Sequence, residues 1–429
     1  MATSAQRRQE ITAGVWDGVL QKLYGSSEET LARQRARWCA ALDGFELYFG
    51  PGRQVRIYTA PGRAELGGNH TDHQHGHGLA ASVNLDTIAC VVPNGSRTIR
   101  VKSRHHRMAE VDLDELSRRP EETGNSVSLV RGVAARISQL GYQVGGFDAY
   151  TTTRVLRGSG LSSSAAFEVL VSTILNHLFC GGALTTTQLA QISQYAENAY
   201  FGKPCGLMDQ LSCATGGVIA IDFKDPAAPT LRQVQADLDA LGYALCVIDS
   251  RASHADLTAD YAAITREMCQ VAACFGREVL GDVDPDQFRR SLSTVRATCG
   301  DRAALRAIHF FQDDRRVELE RRALEAGDMD AFLHHVRQSG RSSFMYLQNV
   351  SNYRESRSQP IALLLAVAED LLAGRGACRV HGGGFAGTIQ AFVPTDALES
   401  FVAGMETVTG QGACHVLNFR PVGTTVLVP

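Results

Sequence analysis

The sequence predicts an α+β fold. Three observations carry that prediction. Segments of strand and helix character interleave without the regular βαβ period of a doubly wound sheet. The chain has 429 residues, 44% hydrophobic and 20% charged, which is an ordinary globular composition and enough length for two or three cores. A proline-rich patch near the middle, Asp225-Pro226-Ala227-Ala228-Pro229, offers a domain junction and divides the chain into residues 1–225 and 226–429.

Taken in order, residues 1–50 read as helical, with Val15, Val19, Leu20 and Leu23 at helical spacing. Gln54–Ala60 reads as a strand that ends at Pro61-Gly62. Thr87–Pro93 and Thr98–Lys102 read as strands joined by an Asn94-Gly95 hairpin turn. A helix over Ser126–Leu140 stops at Gly141, and a strand over Phe147–Leu156 leads into a Gly/Ser loop. The apolar run Phe167–Leu178 has helical spacing, and a helix over Thr187–Phe201 is stopped by Gly202-Lys203-Pro204. Ala214-Thr215-Gly216-Gly217 opens a strand over Val218–Phe223. Beyond the proline patch come a strand over Ala244–Asp249, a helix-rich region over 256–376 and a strand over Thr388–Val393. No internal repeat is visible.

Composition narrows the function. A net charge of −3 gives no nucleic-acid footprint. No apolar run is long enough for a membrane span, and the polar start, with Arg7 and Arg8, lacks a secretory apolar region. Eleven scattered cysteines, none in a Cys-x-x-Cys pair, are expected to be reduced in a cytoplasmic protein. No partner beyond small molecules is expected, and a monomer is compatible with everything in the sequence.

Four segments carry candidate chemistry. The first runs from Ala60 to His73 and sets Arg63, Asn69, His70, Thr71, Asp72 and His73 among Gly62, Gly67 and Gly68. Such a density of donors and acceptors suits a polyhydroxylated ligand. The alternatives are a metal site, since His75 and His77 follow, or a solvated His-rich turn. The second is Gly158-Ser159-Gly160-Leu161-Ser162-Ser163-Ser164 before the apolar helix. Free backbone N–H groups at a helix start suit a phosphate, and glycines let the backbone approach it. A plain serine-capped helix is the other reading, and no Gly-Lys-Ser/Thr follows to make a P-loop. The third is Cys205-Gly206-Leu207-Met208-Asp209-Gln210, where Asp209 is a general base, a hydroxyl-positioning carboxylate or a helix cap. Glu197, on the preceding helix, is a Mg²⁺ ligand or a surface glutamate. The fourth is His381-Gly382-Gly383-Gly384-Phe385-Ala386-Gly387, a glycine-rich turn before a strand.

In combination and in this order, these segments resemble the galactokinase branch of the GHMP small-molecule kinases, from about Phe45 to the C-terminus. Ser250, His254 and Tyr261 add to the likeness, while the helical extension before residue 30 is longer than the family's. The resemblance implies a two-domain GHMP architecture with the active site in the interdomain cleft. It implies ATP and Mg²⁺ as cofactors and phosphorylation of the anomeric hydroxyl of a free sugar. Gly158–Ser164 would wrap the ATP phosphates, with Ser164 and Glu197 as Mg²⁺ ligands. Asp209 would face the anomeric hydroxyl with Arg63 beside it. Asn69, His70, Thr71, Asp72, Gly206 and Tyr261 would hold the sugar.

The first motif departs from the family pattern Gly-Arg-Val-Asn-Leu-Ile-Gly-Glu-His-Thr-Asp-Tyr at Ala64, Glu65, Gly67, Asn69 and His73. Asn69 stands where the family has a Glu that contacts the sugar 6-hydroxyl. Galactose is the expected acceptor, with galacturonate or arabinose as alternatives that Asn69 would favour. A non-catalytic sugar- and ATP-sensing relative is a further alternative, although such relatives tend to lose residues of the serine loop.

Overall fold

The structure is a computed structural model that describes residues 2–155, 160–252, 257–351 and 357–428. The end of the expected 147–156 strand, Gly158, Ser159 and His254 lie outside the described residues. The strands are β1 (Arg56–Gly67), β2 (His77–Pro93), β3 (Thr98–Ser103), β4 (Met108–Asp112), β5 (Phe147–Thr153), β6 (Val218–Asp222), β7 (Thr230–Val234), β8 (Tyr243–Asp249), β9 (Ala377–His381), β10 (Thr388–Pro394), β11 (Cys414–Leu417) and β12 (Thr425–Val428). The helices are α1 (Ser4–Thr12), α2 (Asp17–Tyr24), α3 (Glu28–Phe49), α4 (Ser126–Gln139), α5 (Ser163–Phe179), α6 (Thr186–Tyr195), α7 (Met208–Thr215), α8 (Thr258–Ala273), α9 (Pro285–Arg290), α10 (Leu292–Cys299), α11 (Asp301–Ala326), α12 (Met329–Ser342), α13 (Pro360–Leu372) and α14 (Leu398–Thr409).

Eight strands form one sheet, in the order β12-β1-β2-β5-β3-β4, with β6 and β7 continuing from the other half of β2. The remaining four form a second sheet, β11-β8-β10-β9. Two-sided burial explains the near-continuous apolar strands of the first sheet. Ile57, Ile88, Cys90 and Tyr150 face α2 and α3, where Trp38 and Phe45 are fully buried. Tyr58, Ala89, Val91 and Ala149 face the main core shared with α4 to α7. The second sheet buries Cys246, Ile248, Val380 and Ile389 against α13 and α14.

The structure corrects the sequence reading in several places. The first strand does not stop at Pro61-Gly62 but runs on to Gly67. Its register breaks there, Pro61 facing Asp86 and Arg63 facing Ser82, so the proline sits where the ladder is already interrupted. Gly62 is required at that break, because a Cβ would lie 2.8 Å from the Leu161 carbonyl oxygen. The Asn94-Gly95 segment does not close a hairpin. β5 lies between β2 and β3, and β3 runs parallel to it. The Asn94 amide instead donates to Thr98 O at 3.0 Å and to Asp148 of β5 at 2.9 Å. The helix expected over 187–201 is regular to Tyr195, then widens into a π turn over Ala196–Phe201. The proline patch turns the β6–β7 hairpin within the first sheet, so the chain changes sheet later, over 235–242. The chain end returns to the first sheet, where β12 pairs with β1. Among the described residues no helix is long and apolar enough to cross a membrane.

Candidate active site

Arg63 and Asp209, 146 residues apart, form the centre of the site. β1 carries Arg63 past the register break, and its backbone N–H donates to Leu161 O at 3.1 Å. Its guanidinium donates to Asp209 Oδ1 from Nε at 2.9 Å and from Nη2 at 2.5 Å, and from Nη1 to the Gly160 carbonyl. Asp209 lies in the first turn of α7 with its side chain 30% exposed, whereas the Arg63 side chain is 7% exposed. Burial pushes the Asp209 pKa up, but the Arg63 charge and the Ser162 hydroxyl bond outweigh it and hold the carboxyl below its ordinary value. Asp209 is therefore ionised at neutral pH.

The serine loop is not a capped helix. Ser162, at the N-cap of α5, is left-handed (φ 59°) and makes no side-chain cap bond. Its hydroxyl donates to Asp209 instead. The first N–H groups of a 17-residue helix are thus left without a side-chain cap beside an Arg–Asp pair, an arrangement suited to an anion. Gly160 takes φ +68°, and a Cβ there would meet His381 Nδ1 at 2.8 Å.

Ser164 Oγ donates to Glu197 Oε1 at 2.9 Å. Glu197 sits in the π turn, 1% exposed, and its other oxygen accepts from Gln210 Nε2 at 2.9 Å. The ammonium of Lys203 lies 3.2 Å from Glu197 Oε1. In the sequence Lys203 reads only as part of a helix stop, and no other signal marks it. Glu168, fully buried nearby, has its pKa driven well up by burial and by the Glu197 charge. A hydroxyl and a carboxylate oxygen, with a cation already attracted to the same carboxylate, fit Mg²⁺, which keeps waters and phosphate oxygens in its remaining positions.

Asp72 and Gly206 stand side by side. A Cβ on Gly206 would lie 1.7 Å from Asp72 Oδ2, so only glycine lets this carboxylate stand beside the Asp209 segment. Burial, then the Asp209 charge, push the Asp72 pKa up to about 6. Tyr261, on α8, donates its hydroxyl to Gly384 O at 2.8 Å and sets its ring edge-on to Phe385. Burial lowers the His70 pKa to about 4, so the ring is neutral. Its Nε2 lies 3.1 Å from Gly383 O and its Nδ1 lies 3.2 Å from His73 Nε2. Because a carbonyl only accepts, Nε2 carries the His70 proton. His70, Ser162 and Phe385 are left-handed non-glycine residues, one in each of three motifs, a placement typical of functional segments.

Two expected sugar ligands do not present their side chains. Thr71 is fully buried, and its hydroxyl lies 2.8 Å from Gly68 O and 2.5 Å from His77 O, so its one proton is taken by a backbone carbonyl. Asn69 is also fully buried. Its Nδ2 donates to Glu65 Oε1 at 3.0 Å and Gly382 O at 2.7 Å, and its Oδ1 accepts from Ser343 and Asn349. An amide has two donors and two lone pairs, so protein fills all four positions. The His-rich stretch forms no metal centre, and no cluster of three or more metal-ligating side chains occurs among the described residues.

The anion-ready helix start, the Arg63–Asp209 pair and the mixed two-sheet architecture fit a GHMP-type small-molecule kinase. The family model for the GHMP kinases N terminal domain matches residues 128–217, and that for the galactokinase galactose-binding signature matches 43–93. The galactokinase of Streptomyces coelicolor is 30% identical over 360 residues, covering 82% of this chain and 87% of that protein. The chain belongs to the galactokinase family. Among solved structures, Lactococcus lactis galactokinase complexed with galactose superposes with a TM-score of 0.77 at 23% identity, covering 90% of this chain and 98% of that one. Methanococcus jannaschii mevalonate kinase shares the fold at a TM-score of 0.59 and 11% identity, covering 86% and 99%.

Proposed function

We propose that this chain transfers the γ-phosphoryl group of ATP to the anomeric hydroxyl of galactose. The observation that carries the reading is the Arg63–Asp209 pair, set between the uncapped start of α5 and the Ser164–Glu197 pair. The family relationship and the galactose bound in the Lactococcus relative support galactose as acceptor. Phosphoryl transfer needs in-line positioning and a positive field around the equatorial oxygens more than covalent help. In this reading the loop ending in Gly160, Leu161, Ser162, Ser163 and Ser164 cradles the phosphates, Gly158 and Ser159 preceding it. Ser164 and Glu197 would hold Mg²⁺, which supplies charge neutralisation between the phosphate oxygens when bound. Asp209, ionised, accepts a hydrogen bond from the anomeric hydroxyl and orients it, and Arg63 faces the transferring group. Asp72, Gly206, Tyr261 and His70 shape the sugar side. The setting is cytoplasmic, in keeping with eleven unpaired cysteines.

Galacturonate and arabinose are attractive only while Asn69 is free to alter recognition of the 6-position. That reason goes when the Asn69 amide is saturated by protein. A coupled ADP assay over galactose, galacturonate, arabinose and glucose tests the reading. Galactose should give the highest kcat/KM. Absence of sugar-dependent ADP release would favour a binding protein, and a higher kcat/KM for another sugar would reassign the acceptor.

A further inference from the structure

Three consecutive carbonyls of the Gly382–Gly384 turn are each held by a side chain from elsewhere. Gly382 O accepts from Asn69 at 2.7 Å. Gly383 O accepts from Asn349 at 3.1 Å and from His70 at 3.1 Å. Gly384 O accepts from Tyr261 at 2.8 Å. The turn also fits tightly: a Cβ on Gly383 would lie 2.4 Å from the Tyr261 ring, and one on Gly384 would lie 2.1 Å from Asn349 O. Two of the side chains that hold the turn, His70 and Tyr261, belong to the proposed sugar pocket.

Asn69 is the hub of this arrangement. Besides Gly382 O it binds Asn349, the residue that holds the next carbonyl, at 2.9 Å. It is anchored in turn by Glu65, which pairs with the fully buried Arg379 of β9. Its own backbone is fixed as well, since its N–H donates to Asp313 at 2.9 Å and its carbonyl lies 2.9 Å from His309 Nε2. A side chain so placed, and without exposed surface, has nothing left to offer a ligand. We propose that Asn69 is a positioning residue. It clamps the glycine turn of the second sheet to the sugar turn of the first, and so acts on the sugar through His70 and Tyr261 without touching it. The inference rests on the galactokinase reading for its effect on catalysis, but the clamp itself exists without substrate.

The test uses the full chain and the variants Asn69→Ala, Asn349→Ala and their double. Hydrogen exchange on the substrate-free protein should quicken across residues 382–386 in both single variants. Losing two or more buried hydrogen bonds should raise KM for galactose by about tenfold, with kcat within about threefold. The 6-deoxy analogue of galactose should suffer the same factor. The double variant should be no worse than the more affected single, because both act through one turn. Direct recognition of the 6-hydroxyl would instead raise KM for galactose and leave the 6-deoxy sugar unchanged, which overturns the proposal. Unchanged exchange at 382–386 overturns it equally. Should Asn69→Ala fail to fold, Asn349→Ala alone must show both effects. A wild-type protein inert toward galactose would defeat the functional reading, while the exchange result would still decide the clamp.

Discussion

Asp209→Ala is expected to lower sugar-dependent ADP formation by at least about 10³-fold, from the combined loss of hydroxyl positioning and charge at the reacting centre. Asp209 is the carboxylate that Arg63 and Ser162 both address, and its side chain stays 30% exposed. Because those partners hold its pKa down against burial, it acts as an anion throughout the neutral range. On the proposed reading it would be a weak base whose main contribution is orientation of the acceptor hydroxyl. The alanine also strands the buried Arg63 charge, so stability has to be followed beside activity. Asp209→Asn separates the two effects, since its amide oxygen still accepts from Arg63 while the charge is gone. Both variants should retain ATP binding, because the uncapped α5 start and the Ser164–Glu197 pair remain. Activity within about tenfold of wild type in the asparagine variant, well short of the roughly 10²-fold minimum for a positioned acid–base group, would remove Asp209 from the chemistry.

The largest stability effect is expected at Asp86, which takes no part in the proposed chemistry. This fully buried carboxylate of β2 gathers the N-terminal helices and the C-terminal segment onto one point. Tyr24 of α2 donates to it at 2.5 Å, Arg37 of α3 pairs with it at 2.6 Å, Arg420 pairs with it at 3.0 Å, and Thr59 of β1 donates to it. The helical extension before residue 30 is thereby tied to the body of the kinase. Asp86→Ala leaves the buried Arg420 and Arg37 charges uncompensated and should cost about 3–5 kcal/mol in chemical denaturation. Burial raises the Asp86 pKa, but Arg37 and Arg420 outweigh it and bring the folded-state value below the unfolded one. The stabilisation is therefore fully present above the unfolded pKa of about 4 and is lost as pH falls through the lower folded value. Asp86→Asn should be less stable at neutral pH and lose less on acidification. A neutral-pH stability equal to wild type would show that the hub contributes nothing net.

The chemistry is more legible in the sequence than the connections are. Arg63, Asp72, Glu197, Gly206 and Asp209 stand out as candidates through the motifs they belong to, which family order ties together. What stays hidden is tertiary. Pro61 reads as a strand end because the register break that accommodates it depends on Asp86 and Ser82 of another strand. β12 has four residues and exists by pairing with β1, hundreds of positions away. Asn69 reads as a ligand because it stands where the family motif has a sugar-contacting Glu. Its actual partners, Asn349 and Gly382, lie 280 and 313 positions later, and nothing local to Asn69 points to them. Ser162 reads as a helix cap or phosphate ligand, and only the fold brings Asp209 to its hydroxyl.

The central claim, transfer to the anomeric oxygen, is tested most directly by ³¹P–¹H correlation spectroscopy on the product formed from ATP, Mg²⁺ and galactose. A new phosphomonoester phosphorus coupled to the anomeric proton is the predicted result. Coupling to the protons at C6, or no sugar phosphate at all, would contradict the account.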